Sequence, residues 1–209
     1  ELVTAEHYYA VLQREILDPL GLEHTVPLVG RDIPGLAVGY MGEDNEFAEY
    51  GFPDRIADIG RLYYDPTFEW TGGGLASTSA DLAKWGWSLY CGRAFDAPYR
   101  DEILNADDGR APIPDIPSIG PYRYGLGVYV HDSPIGTLYG HGGVMFGYTS
   151  RMRFAADHGI AVAVQVNRLF DSHTQDYVIK LGETVLAELE GAQAHDDQQC
   201  GRIKEGGSK

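Results

Sequence analysis

The stretch that decides the fold is YGHGGVMFGYTSRMRFAAD, residues 139–157. It ends a short apolar run with His141, Gly142 and Gly143, turns through Gly147, and opens a second run that alternates apolar and polar residues. Alternation with period two marks a strand with one buried face. Glycines in such a strand either mark a bulge or leave bare backbone that another chain or a ligand can approach closely. On the second reading a substrate pairs with the strand edge. The N–H of Val144, just past the glycines, then points at a developing oxyanion, and His141 supplies a hydrogen bond or charge beside the attacked group.

Working outward, the chain from Tyr122 reads as four β-rich runs, RYGLGVYV, GTLYGH, YTSRMRFAAD and GIAVAVQVN, separated by turn signals. AADHG is a tight hairpin connection. Residues 160–166 are almost wholly apolar, which predicts a central strand buried on both faces. A closing helix follows, with Val178, Leu181, Val185 and Leu189 on one face. The polar tail past Gly191 predicts a loose terminus.

Upstream, Ala5, Tyr9, Leu12 and Ile16 have helical spacing, so a helix is expected over residues 5–17 with Thr4 as its N-cap. Pro19 and Gly21 in DPLGL are expected to end it. Residues 22–68 are irregular, with a short strand-like GLAVGY at 35–40. Thr78 followed by Asp81 forms a capping-box pattern, and the helix it opens carries Leu82, Trp85 and Leu89 before closing at Gly92. Residues 105–121 hold four prolines and read as a loop. The predicted fold class is α+β. Residues 1–121 form a helical and loop region, 122–191 antiparallel strands plus the closing helix, and 192–209 a polar tail.

The 209 residues are 44% hydrophobic, enough for a real core. A formal net charge of −15 argues against nucleic acid or an anionic membrane as partner. No run approaches the roughly 20 apolar residues of a membrane span. The two cysteines, Cys91 and Cys200, show neither metal-ligand spacing nor a disulfide framework. The seven histidines form no His-x-His and no His-Glu-x-x-His, so neither a metal nor a cofactor is expected. His7, His24, His158, His173 and His195 read as surface residues. Gly72, Gly73 and Gly74 match no phosphate-binding pattern and read as a tight turn. A lipase-type oxyanion loop, which also contains His-Gly-Gly, requires a downstream Gly-x-Ser-x-Gly elbow, and none occurs.

Five segments, in order, resemble the β-lactamase-like serine hydrolases, a family of class C β-lactamases, D-Ala-D-Ala carboxypeptidases and related esterases. They are REILDPLGLEHT, LAVGY, TGGGLASTSADLAKW, YGLGVYV and YGHGGVMFGYTSRMRF, and the resemblance runs to about Gly191. It implies a β-lactamase/transpeptidase-like fold and acyl transfer through a serine acyl-enzyme. By match, His141, Gly142 and Gly143 take the three positions of the family's Lys/His-Thr-Gly motif, and Val144 follows as an oxyanion-hole donor. Gly142 stands where threonine is usual. The hydroxyl missing there would have bound a substrate carboxylate, which turns the expectation from β-lactamase proper toward an esterase, amidase or peptidase.

The family's Ser-x-x-Lys and Tyr-x-Asn motifs are absent; Ser150, with Arg153 at the third place, comes nearest to the first. The chain therefore reads as the later part of a family member, whose missing N-terminal half supplies the nucleophile. Its expected partners are that half and a small-molecule or peptide-like acyl substrate. Two alternatives stay open: a relative that binds without catalysis, and a structural module whose glycine-lined strand pairs with a partner. Strand alternation puts Tyr148 and Ser150 on one face and Thr149 and Arg151 on the other, with no catalytic role for either pair. Residues 122–166 are expected to leave an unpaired sheet edge.

Overall fold

The computed structural model describes residues 1–42, 44–104 and 122–191. The first helical run joins α1 (Tyr8–Leu12), a π-helical turn (Gln13–Leu17) and α2 (Asp18–Leu20). It starts later than expected, because Ala5 has φ +56° and His7, not Thr4, stands at the cap. Pro19 does not end it. Pro19 lies in the first turn of α2, where a missing N–H costs least, and Gly21 at φ +60° turns the chain out.

The described part of residues 22–68 holds only the two-residue strands β1 (Val26–Pro27), β2 (Ala57–Asp58) and β3 (Arg61–Leu62), plus short 3-10 turns. GLAVGY is not a strand; within it Tyr40 alone forms isolated bridges, to Arg55 and Arg168. The Tyr40 N–H donates to the Asn167 carbonyl at 3.1 Å, and its carbonyl accepts from Leu169 N–H at 2.9 Å. The segment therefore crosses the end of the main sheet instead of joining it. There it buries Ile33, Met41, Ile56, Leu62 and Leu169 in a cluster of their own, against Phe146 and Tyr148.

The glycine triplet forms one helical turn, α3 (Trp70–Gly73), followed by β4 (Leu75–Ala76), which pairs with β1. A β-carbon on Gly74 would collide with the Trp70 carbonyl and the Tyr9 hydroxyl. That hydroxyl donates to the Gly74 carbonyl at 3.1 Å, so the glycine lets α1 close on the turn. Helix α4 (Ser79–Tyr90) opens on Thr78, whose Oγ1 accepts the Asp81 N–H at 3.2 Å. The Asp81 carboxylate accepts from His24 N–H at 2.8 Å and Thr25 Oγ1 at 3.0 Å. One residue thus links the helix start to a loop 57 positions earlier in the chain.

Cys91, just past α4, is disulfide-bonded. Its spacing to the other cysteine does not announce this, and its partner lies outside the described residues. Helix α5 (Ala97–Leu104) has no counterpart among the elements read from the sequence. Pro98 near its start and a weakly amphipathic sequence hide it. The loop expected over 105–121 and the tail 192–209 lie outside the described residues.

Among the described residues the main sheet has five antiparallel strands in sequence order. They are β5 (Arg123–Tyr124), β6 (Tyr129–Ser133), β7 (Gly136–Met145), β8 (Tyr148–Ala155) and β9 (Ile160–Val166). RYGLGVYV splits into two strands at its glycines, giving five where four were expected. Helix α4 packs on one face, where Tyr90 meets Val130, Met152 and Phe154. Helix α6 (Thr174–Gly191) packs against β8 and β9.

Two expectations about this part are corrected. Strand β9 is an edge strand and not a central one: among the described residues it pairs only with β8, while α4 covers its face at Ala161 and Ala163 and α6 its face at Val162. That edge position matches the unpaired edge expected of residues 122–166. The buried face of α6 carries Val178 and Gly182, while Leu181 and Leu189 are 43% and 55% exposed. The apolar stripe read from spacing is rotated, because Ile135 packs where Gly182 leaves room. No helix among the described residues is long and apolar enough to cross a membrane.

Candidate active site

Strand β7 has ten residues and β6 only five. Strand β6 begins at Tyr129, opposite Gly140. Residues 141–145 therefore keep β8 on one side and, among the described residues, have no strand on the other. The Ala156 N–H donates to the Thr137 carbonyl at 2.9 Å, which turns the Thr137 peptide groups toward β8. Antiparallel alternation then turns those of His141, Gly143 and Met145 toward β8 and those of Gly142 and Val144 out over the open edge. The Val144 N–H thus projects from the sheet, at a residue that is 50% exposed.

His141 lies along this edge. Its Nδ1 is 2.6 Å from the Gly142 carbonyl and its Nε2 is 2.8 Å from the Tyr124 hydroxyl. The ring packs on Tyr129 at 4.6 Å between centroids, with Tyr124 at 5.8 Å. Its other side is exposed. Desolvation of the packed side holds its pKa below the ordinary histidine value. The Gly142 carbonyl opposes that shift, and the charges of Arg153 and Arg151 add to it.

Arg153 stands behind this histidine and is 1% exposed. Its Nη1 donates to the carbonyls of His141 and Met152, both at 2.9 Å. Its Nε and Nη2 have no hydrogen-bond partner among the described residues. Burial first, and then the neighbouring Arg151, lower its pKa to about 10. A buried cation that grips the His141 carbonyl fixes the main chain at the site.

The two glycines are also required by their own neighbours. The Arg151 guanidinium would collide with a β-carbon on Gly142, and a β-carbon on Gly143 would lie 2.7 Å from the Ser150 hydroxyl oxygen. The cross-strand pairs Gly142–Arg151 and Gly143–Ser150 follow the expected alternation. Tyr148 points elsewhere and donates to the Ala37 carbonyl at 2.6 Å.

The four residues singled out from the sequence are contiguous on the open edge, and His141, Gly143 and Val144 are exposed there. The rim is not plugged, but it borders neither of two cavities found elsewhere. One, of about 10 Å³, lies under α6 beside Leu138 and Arg153. The other, of about 270 Å³, lies at residues 92–99. Sequence reasoning missed Tyr124, Tyr129 and Arg153. Arg153 gave a signal, a charge at an inward position of an alternating run; Tyr124 gave none, since it meets His141 from two strands away. His7, His24, His158 and His173 are exposed, and His195 lies outside the described residues. No described group of His, Cys, Asp and Glu is arranged to hold a metal ion.

An antiparallel sheet between helices, with His-Gly-Gly on a half-strand edge, defines the β-lactamase/transpeptidase-like fold. Residues 1–182 match the family model described as Beta-lactamase, and the chain belongs to that family. Solved structures agree on the fold. A D-stereospecific amidohydrolase from Streptomyces sp. is similar at TM-score 0.66 and 22% identity, over 86% of this chain and 50% of that one. The D-amino acid amidase from Ochrobactrum anthropi SV3, complexed with L-phenylalanine, aligns at TM-score 0.70 and 22% identity, over 92% and 56%. A penicillin binding protein from Bacillus halodurans aligns at TM-score 0.62 and 16% identity, over 86% and 51%. This chain thus spans about half the length of each. No curated protein matches it.

Proposed function

We propose that this chain is the later part of a serine hydrolase that forms an acyl-enzyme on an ester, amide or β-lactam substrate. The observation that carries this reading is the outward Val144 N–H on a half-strand stripped of side chains at Gly142 and Gly143. A carbonyl attacked at that edge places its oxygen on the Val144 N–H, where fixed donors stabilise the developing charge. The acyl portion lies along Gly142 and Gly143, and His141 stands beside the attacked group. The serine comes from outside this chain: its oxygen adds to the carbonyl carbon, the leaving group departs with a proton, and water then releases the acid. Two of the similar structures are named as amide hydrolases, which favours an amide among the three substrate classes.

The second reading is a non-catalytic binding relative that keeps the pocket and lacks the nucleophile. Turnover of a p-nitrophenyl ester and of D-phenylalanine amide by the full gene product separates the two readings. Val144→Pro removes the edge N–H, which makes no ladder bond, so the fold should tolerate it. It should cost roughly 10²–10³ in kcat, and His141→Ala should also slow turnover. Turnover unchanged in both variants overturns the proposal; binding of a fluorescent penicillin without turnover favours the binding relative.

A further inference from the structure

We propose that Tyr124 is a positioning residue for His141: its hydroxyl holds the imidazole in the neutral form with the proton on Nδ1, and so ties the ring to the Gly142 carbonyl. Only the kinetic part of the test rests on the hydrolase reading.

The two hydrogen bonds of the ring assign its protons. A carbonyl oxygen only accepts, so the contact of 2.6 Å at Gly142 requires a hydrogen on Nδ1. With one proton placed there, Nε2 of the neutral ring carries a lone pair, and the Tyr124 hydroxyl at 2.8 Å donates to it. In the imidazolium both nitrogens donate, and Tyr124 would have to turn its own hydrogen elsewhere. The charged neighbours push the same way. Arg151 and Arg153 both disfavour a positive ring, and among the described residues no carboxylate acts on it. The other titratable groups around the ring are the phenols of Tyr124 and Tyr129.

The tautomer matters because of the edge it serves. The Gly142 carbonyl and the Val144 N–H project over the same open side of β7. An unengaged carbonyl oxygen there would repel a negative oxygen held by Val144. The Nδ1–H of His141 occupies that carbonyl. In the opposite tautomer a nitrogen lone pair would face the carbonyl lone pairs, and the ring would swing away. Tyr124 therefore decides whether the oxyanion edge is screened.

The test uses the full gene product with ¹⁵N-labelled histidine, read by long-range ¹H–¹⁵N correlation in wild type, Tyr124→Phe and Tyr129→Phe. The wild-type His141 signal should show Nδ1–H with an unprotonated Nε2. Y124F, which keeps the ring packing, should mix the tautomers, because the Nδ1–H form loses its donor at Nε2. Y129F changes a ring that packs on His141 and gives it no hydrogen bond, so it should leave the tautomer alone. A wild-type Nε2–H tautomer, an unchanged signal in Y124F, or an equal change in Y129F overturns the proposal. In the kinetic arm, Y124F should lower kcat by roughly ten- to a hundredfold with less effect on KM. A tautomer change without a kinetic change upholds the role of Tyr124 and counts against the hydrolase reading of His141.

Discussion

The guanidinium of Arg151 occupies the space that a β-carbon on Gly142 would need, across the β7–β8 ladder. The absence of a side chain at 142 is thus coupled to the presence of a long one at 151. Gly142→Thr, which restores the residue usual in the family, should crowd Arg151 and destabilise the protein by about 1–3 kcal/mol. Arg151→Ala should remove most of that penalty. A double-mutant cycle of urea unfolding measures the coupling; additive effects of the two changes would show that the residues do not compete for one space.

His131 is 5% exposed, and its pKa is lowered to about 4, chiefly by burial and then by Arg153, with Asp132 opposing and Arg151 adding. Above pH 6.5, the ordinary histidine value, both folded and unfolded chains hold it neutral. Between 6.5 and about 4 the unfolded chain takes up a proton that the folded chain refuses. Stability should therefore fall as pH falls through that window, by about 3 kcal/mol in all. Urea midpoints measured across this range should slope in wild type and flatten in His131→Asn. An identical slope in the variant would assign the loss to other groups.

Asp81 accepts hydrogen bonds from His24 and Thr25 while its own N–H caps α4 through Thr78. Asp81→Ala keeps the cap and removes the carboxylate, leaving the His24 N–H unpaired. The expected loss is about 1–3 kcal/mol, with faster proteolysis of the loop near residue 24. Thr78→Ala should cost about 1 kcal/mol through the helix and leave that loop protected. Equal cleavage rates in the two variants would show that Asp81 does not anchor the loop.

What the sequence by itself determined is local. The hairpins at 146–147 and 156–159, strand β8, the first part of β7, the Thr78 cap and the run His141 to Val144 all follow from side-chain period, turn residues and near neighbours. The motif order, in turn, was enough to place the chain in its family. Tertiary structure alone decided the rest. It put β9 at the edge of the described sheet, rotated the buried face of α6, and laid GLAVGY across the sheet end, although each of those segments has the composition of the element first read. It also brought Tyr124 to His141 and buried Arg153 behind that residue. The physical reason is the same in each case: apolar spacing states that a face will be covered, but the partner that covers it lies tens of residues away, and only the folded chain selects it.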